Sequence, residues 1–228
     1  MIPLRDTIQS RSTPIITWLI IIVNTVIFLY EVRLPANNLA NFIDVYGLTP
    51  SRLDLSSPAS WTPLATHMFL HGGWLHLISN MWILFIFGDN VEDRIGSTKF
   101  LLFYLIGGVS AGVVQSIFGS PDIPSVGASG AIAAVLGAYF LFFPTARVLT
   151  LIPIIFIPWF VRIPALVYLG LWFFTQLWSG LISSSISEGV SMGGVAWWAH
   201  IGGFLVGLFM AIPTAFSNRK KPQTLYVI

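Results

Sequence analysis

The side chains in this sequence that can do chemistry are few, and they sit inside long apolar runs. Ser129 lies in Gly127-Ala128-Ser129-Gly130, at the head of a run that continues to about Pro144. Near the other end of the chain, Ala199-His200-Ile201-Gly202-Gly203 places a histidine at the start of another run. A neutral imidazole can take the serine proton as the hydroxyl attacks a carbonyl, then return it to the leaving amine. A developing oxyanion needs fixed donors. His76 and Asn80, four residues apart, share one helix face. They can supply such donors together with the electropositive start of the Ser129 helix. No carboxylate lies in the runs that carry Ser129 and His200. The pattern is therefore a Ser-His dyad without an acid partner.

The elements that must hold these groups are membrane helices. Of the 228 residues, 55% are hydrophobic and only 9% charged, against roughly 25% charged in ordinary soluble domains. Several runs reach the ~20 residues needed to cross a bilayer core. The expected fold is an all-α membrane protein, a polytopic bundle of six transmembrane helices at about 15–31, 73–90, 99–118, 127–144, 163–182 and 195–216. Residues 1–14 are expected to form a cytoplasmic N-terminal segment, 15–216 one membrane domain and 217–228 a cytoplasmic basic tail. The formal charge of +2 is too small to suggest nucleic acid, and the absence of cysteine excludes disulfides, thiol catalysis and thiolate metal sites.

Between the first two spans, Leu39, Phe42, Ile43 and Tyr46 recur at helical spacing and predict a short interfacial helix ended by Gly47 and Pro50. Trp61, Met68, Phe69 and Trp74 suit the headgroup zone. Residues 147–162, broken by Pro153 and Pro158, are too short to span and are expected to be a loop held against the interface. Asp89, Glu92, Asp93 and Arg94 read as a solvated helix end. Arg5 and Arg11 precede the first apolar run, but no A-x-A-like cleavage site follows, so that run is expected to remain as the first span.

Positive charges set the orientation. With the N-terminus inside, Arg5, Arg11, Arg94, Lys99, Arg147, Arg162, Arg219, Lys220 and Lys221 are cytoplasmic, and only Arg33 and Arg52 lie outside. The starts of spans two, four and six then share the outer half, which puts His76, Ser129 and His200 at similar depth. Small residues give spans four and six a reason to touch. Ser129, Ala133 and Gly137 form one row, Gly130, Ala134 and Ala138 another, and Ala199, Gly203 and Gly207 face them from span six. The connection 183–194, with Gly189, Gly193, Gly194 and Met192, is expected to act as a movable cap over a polar cavity that lets water reach Ser129.

The ordered set His76-x-x-x-Asn80, Gly127-Ala128-Ser129-Gly130 and Ala199-His200-x-x-Gly203 resembles the rhomboid family of intramembrane serine proteases, over about residues 15–216. The resemblance implies a Ser129 nucleophile, a His200 base, and His76 with Asn80 at the oxyanion site. It also implies cleavage of single-span transmembrane proteins near the outer face, without a cofactor and with no metal. Partners are then such substrates and the lipid bilayer. The expected location is a plasma membrane, multi-pass, and the lack of an Arg/Ser-rich transit segment points to a prokaryotic one. Glu92-x-x-x-Gly96 matches a family element of structural role. Thr62 stands where many members have arginine, and Ala133 where many have an aromatic that packs on the histidine. Trp197 and Trp198 are the nearby candidates to replace that support.

Plainer readings compete for each residue. Ser129 can be a helix cap, Asn80 a bond to a neighbouring helix, and His67 and His71 structural histidines rather than ligands, since no His-Glu-x-x-His motif or nearby carboxylate accompanies them. Two other functions remain open: a catalytically inactive rhomboid-like protein that binds client helices, and a small transporter. Against the second, this sequence shows neither the paired broken helices nor the intramembrane carboxylate such proteins use.

Overall fold

The structure, a computed structural model, describes residues 1–54, 56–154, 157–185 and 195–217. Among them the apolar runs fold as α1 (Ile15–Glu31), α4 (Trp74–Ile95), α5 (Ser97–Phe118), α6 (Ser129–Phe142), α7 (Ala165–Ser185) and α8 (Trp197–Ser217), which form the bundle. Ahead of α4 lie α2 (Ala36–Tyr46) and the single turn α3 (Pro63–Thr66). The helix read at Leu39–Tyr46 is α2, which buries no residue and ends at Gly47, as suits a surface helix. The segment Pro58–Phe69 meets α4 at an 80° bend.

Helix α6 is the axis of the bundle. Every residue from Gly130 to Tyr139 is buried. At 14 residues it rises ~21 Å, less than the ~30 Å hydrocarbon core, and the longer helices α4, α5, α7 and α8 pack around it. It packs on α8 backbone to backbone. A methyl added at Gly203 would strike the Gly130 carbonyl oxygen, and one at Gly207 the Ala134 carbonyl oxygen. The small-residue rows read from the sequence are thus the contact itself. Close approach maximises dispersion between helices where lipid supplies no hydrophobic drive.

Glu92 departs from the sequence reading. It is buried (1% exposed) rather than solvated. Its carboxylate accepts from the Ile16 N–H (3.0 Å), the Thr17 N–H (2.8 Å), the Thr17 hydroxyl (2.8 Å) and the Ser97 hydroxyl (2.6 Å). It therefore satisfies orphan donors at the start of α1, which has no cap of its own, and α4 continues to Ile95 because its last turn is occupied there. Gly96 then turns the chain at φ 87°. Met68, expected at the headgroups, is also buried.

The 147–162 segment is a second correction. Instead of a loop it is the antiparallel hairpin β2 (Arg147–Ile154) and β3 (Ile157–Pro164), and β2 pairs on its other side with β1 (Ile2–Asp6). Pro153 and Pro158 oppose each other near the hairpin tip, beyond the last β1 pair at Leu151, so neither interrupts the three-stranded part. The N-terminal strand is docked on the bundle. The Trp82 indole N–H donates to the Pro3 carbonyl at 2.7 Å, Asn90 Nδ2 donates to Asp6 Oδ2 at 3.0 Å, and the Tyr139 hydroxyl donates to the same carboxyl oxygen. This ties α4 and α6 together at the end remote from Ser129.

Candidate active site

Gly127 has φ 127°, a region that favours glycine, and its N–H donates to the His67 carbonyl at 2.9 Å. That turn delivers Ser129 as the first residue of α6, with no side-chain cap on the helix. The N–H groups of a first helical turn have no intrahelical acceptor, so they and the serine hydroxyl emerge at one point. A Cβ on Gly127 would come within 2.6 Å of His76 Nε2 and 3.6 Å of Asn80 Nδ2. The glycine is what lets α4 bring both side chains against the start of α6.

His200, one turn into α8, has Nε2 2.8 Å from Ser129 Oγ. This distance is a normal hydrogen bond and follows from the α6–α8 contact at Gly130 and Gly203 just below. Asn80 is 7% exposed, and its amide nitrogen has no hydrogen-bond partner among the described residues. His76 stacks edge-on to His71 with ring centroids 5.1 Å apart. A cavity of about 790 Å³ at the N-terminal ends of α4, α6 and α8 is lined by Ser129, His200, His76 and Asn80. All four residues singled out from the sequence are therefore brought together. A smaller cavity of about 140 Å³ lies beside Ser129 and His200, walled by Ile83, Ile132, Ala133 and Trp172.

His67 is turned away from Ser129, while His71 packs behind His76. His67 is buried, and its Nδ1 lies 2.8 Å from the Pro63 carbonyl oxygen. His71 is buried with its backbone N–H on Glu31 Oε2 at 3.2 Å. Where Thr62 replaces the arginine expected of the family, the first loop is held by other bonds. The Trp61 indole donates to the Asp54 carbonyl at 2.9 Å, and Arg52 pairs with Asp44 at 2.5 Å. The guanidinium beside Asp44 holds its carboxyl below the usual carboxylate range.

One residue at the site was not read from the sequence. Gln176, on α7, has its Oε1 2.8 Å from His200 Nδ1. One turn earlier on the same helix, the Trp172 ring lies 5.9 Å from the imidazole at 34°. Trp197 meets the imidazole edge-on at 6.2 Å, whereas Trp198 turns its indole N–H to Ser184. The signal in the sequence was the one amide side chain within 165–182, a polar group whose place in an apolar span calls for a partner. The cap expected of Gly189, Met192, Gly193 and Gly194 lies outside the described residues.

Residues 58–216 match the Rhomboid domain family. The chain belongs to the rhomboid family. It is 36% identical over 124 residues to Rhomboid-like protein 11, chloroplastic, of Arabidopsis thaliana, covering 54% of this chain and 40% of that protein. The Putative rhomboid protease YdcA of Bacillus subtilis is 31% identical over 129 residues, 57% of this chain and 62% of that one. Rhomboid protease GlpG of Haemophilus influenzae is 32% identical over 145 residues, 63% of this chain and 64% of that one. The chain spans less than two thirds of the length of each of these rhomboid relatives. The family model covers α4 to α8 and so includes every residue of the site.

Proposed function

We propose that this rhomboid is an intramembrane serine endopeptidase that cleaves transmembrane proteins with Ser129 as nucleophile and His200 as general base. The observation that carries the reading is the 2.8 Å contact between Ser129 Oγ and His200 Nε2 beside a cavity with room for water. The Ser129 O–H donates to Nε2. As the hydroxyl oxygen bonds to the scissile carbonyl carbon, the proton passes to the imidazole, which returns it to the leaving amine nitrogen. Water then enters from the cavity and gives a proton to His200 as its oxygen bonds to the acyl carbon; the Ser129 Oγ–carbon bond breaks, and His200 returns that proton to Oγ, which frees the acid and restores the serine.

The charge that develops on the carbonyl oxygen needs donors already in place. Asn80 Nδ2 is buried without a partner among the described residues, a state that costs free energy and that an incoming acceptor would relieve. It, His76 and the N–H groups of the first turn of α6 converge on the serine. The small cavity beside Ala133 accepts a side chain of modest size next to the scissile bond. We further place the N- and C-termini in the cytoplasm and the dyad in the outer half of a plasma membrane, because nine of eleven basic residues fall on the inner side of that arrangement.

A fluorophosphonate probe tests the reading. Purified protein in detergent is expected to label at Ser129, and Ser129→Ala and His200→Ala to lose both labelling and cleavage of a fluorogenic single-span peptide in proteoliposomes. Wild-type protein that neither labels nor cleaves would leave a client-binding role in place of an enzyme.

A further inference from the structure

We propose that Gln176 is the positioning residue for His200: its carbonyl oxygen fixes the tautomer and the ring plane of the base. The inference rests on the protease reading above for its kinetic consequence, but not for its structural content. A carboxamide oxygen only accepts, so at 2.8 Å the hydrogen must sit on His200 Nδ1. That leaves the Nε2 lone pair directed at Ser129 Oγ, the arrangement a general base requires.

The orientation of the amide is itself determined by its surroundings. Gln176 Nε2 donates to the Trp172 carbonyl at 3.1 Å and to Thr175 Oγ1 at 3.1 Å. Turning the amide over would set its oxygen against the Trp172 carbonyl oxygen, acceptor against acceptor. It would also offer an N–H to Nδ1 and move the histidine proton to Nε2, where it would face the serine. Gln176 is 6% exposed, so water does not replace these bonds. Trp172, one turn away, covers the same imidazole. Helix α7 thus supplies both the bond and the ring contact at a site where Ala133 offers the histidine no aromatic surface. In the proton transfer, Nδ1–H stays on Gln176 while Nε2 gains and gives up the serine proton.

The test separates acceptor from donor. Gln176→Met keeps length and loses both; Gln176→Glu keeps an acceptor for Nδ1–H and loses the donors to Trp172 and Thr175. In ¹⁵N-histidine spectra, with His200→Ala marking the signal, wild-type His200 is expected as the Nδ1–H tautomer, Gln176→Met as a mixture and Gln176→Glu as Nδ1–H. The kcat of Gln176→Met should fall about ten- to a hundred-fold with KM unchanged, less than the ~10²–10⁴ that a general base contributes, because the base is still present. Gln176→Glu should recover to within about ten-fold of wild type. If Glu fails as badly as Met, the donors hold the helix and the positioning role is overturned. A wild-type Nε2–H tautomer overturns it whether or not any variant folds. Full kcat in Gln176→Met beside active wild type refutes this inference alone, whereas inactive wild type refutes the protease reading.

Discussion

Adding a single methyl at Gly203 should separate the two halves of the dyad. The new Cβ would meet the Gly130 carbonyl oxygen and come within 3.2 Å of Ala133 Cβ. Backbone on both sides leaves no flexible side chain to give way, so α8 must withdraw from α6 by roughly 1 Å, since even a close C···O contact needs ~3.3 Å or more. His200 is one turn from Gly203, and Ser129 precedes Gly130. A shift of ~1 Å therefore stretches the 2.8 Å Oγ···Nε2 bond past the reach of proton transfer. Misplacement on that scale costs ~10² in rate, and overpacking costs about 1–3 kcal/mol of stability. The assay is initial-rate cleavage of a fluorogenic transmembrane peptide, with fluorophosphonate labelling rate as a chemistry-only readout and thermal unfolding for stability. Gly170→Ala is the control. On α7 the nearest atom to an added Cβ is Phe140 Cε2 at 4.0 Å, so rate should be unchanged and stability equal or slightly higher. Equal labelling rates for Gly203→Ala and wild type would refute the claim that backbone contact at Gly203 sets the dyad distance.

Two other outcomes follow from the same geometry. Asn80→Ala and His76→Ala should each lower kcat by ~10²–10³, the usual cost of one oxyanion donor. Melting temperature should change little in Asn80→Ala, whose amide nitrogen makes no bond to lose among the described residues; unaltered turnover in both variants would remove them from the mechanism. At the far end of the bundle, burial pushes the Asp6 carboxyl up from 3.8 to about 6, opposed by the Tyr139 hydroxyl bond. The folded protein then holds a proton that the unfolded chain has released, so stability falls as pH rises through that window. The loss is at most about 3 kcal/mol, and about 2 once screening of a partly exposed group is allowed for. Asp6→Asn should reduce the dependence of melting temperature on pH between about 4 and 6.5; an unchanged slope would show that Asp6 does not contribute to it.

Residue type and spacing alone picked out the groups available for chemistry and the contact that joins their helices. Ser129, His200, His76 and Asn80 were legible because polar side chains within apolar runs are costly and therefore few. The charge bias of the connections assigned them to one depth from residue counts alone. The rows Gly130–Ala134 and Gly203–Gly207 were legible because helical period alone puts them on one face. What depends on rotation, docking or distant pairing was not legible. Gln176 was visible as a polar residue, but its bond to His200 depends on how α7 is turned about its axis, which packing against α8 decides. Glu92 read as a solvated helix end because charges at such ends usually meet water, yet the start of α1 arrives there with unpaired N–H groups and takes it out of solvent. The hairpin 147–164 was hidden by Pro153 and Pro158, and by a third strand more than 140 residues away in the chain. No local period announces a pairing between segments so far apart. Sequence thus chose the candidate nucleophile and base, and tertiary packing decided which side chain lies against the base.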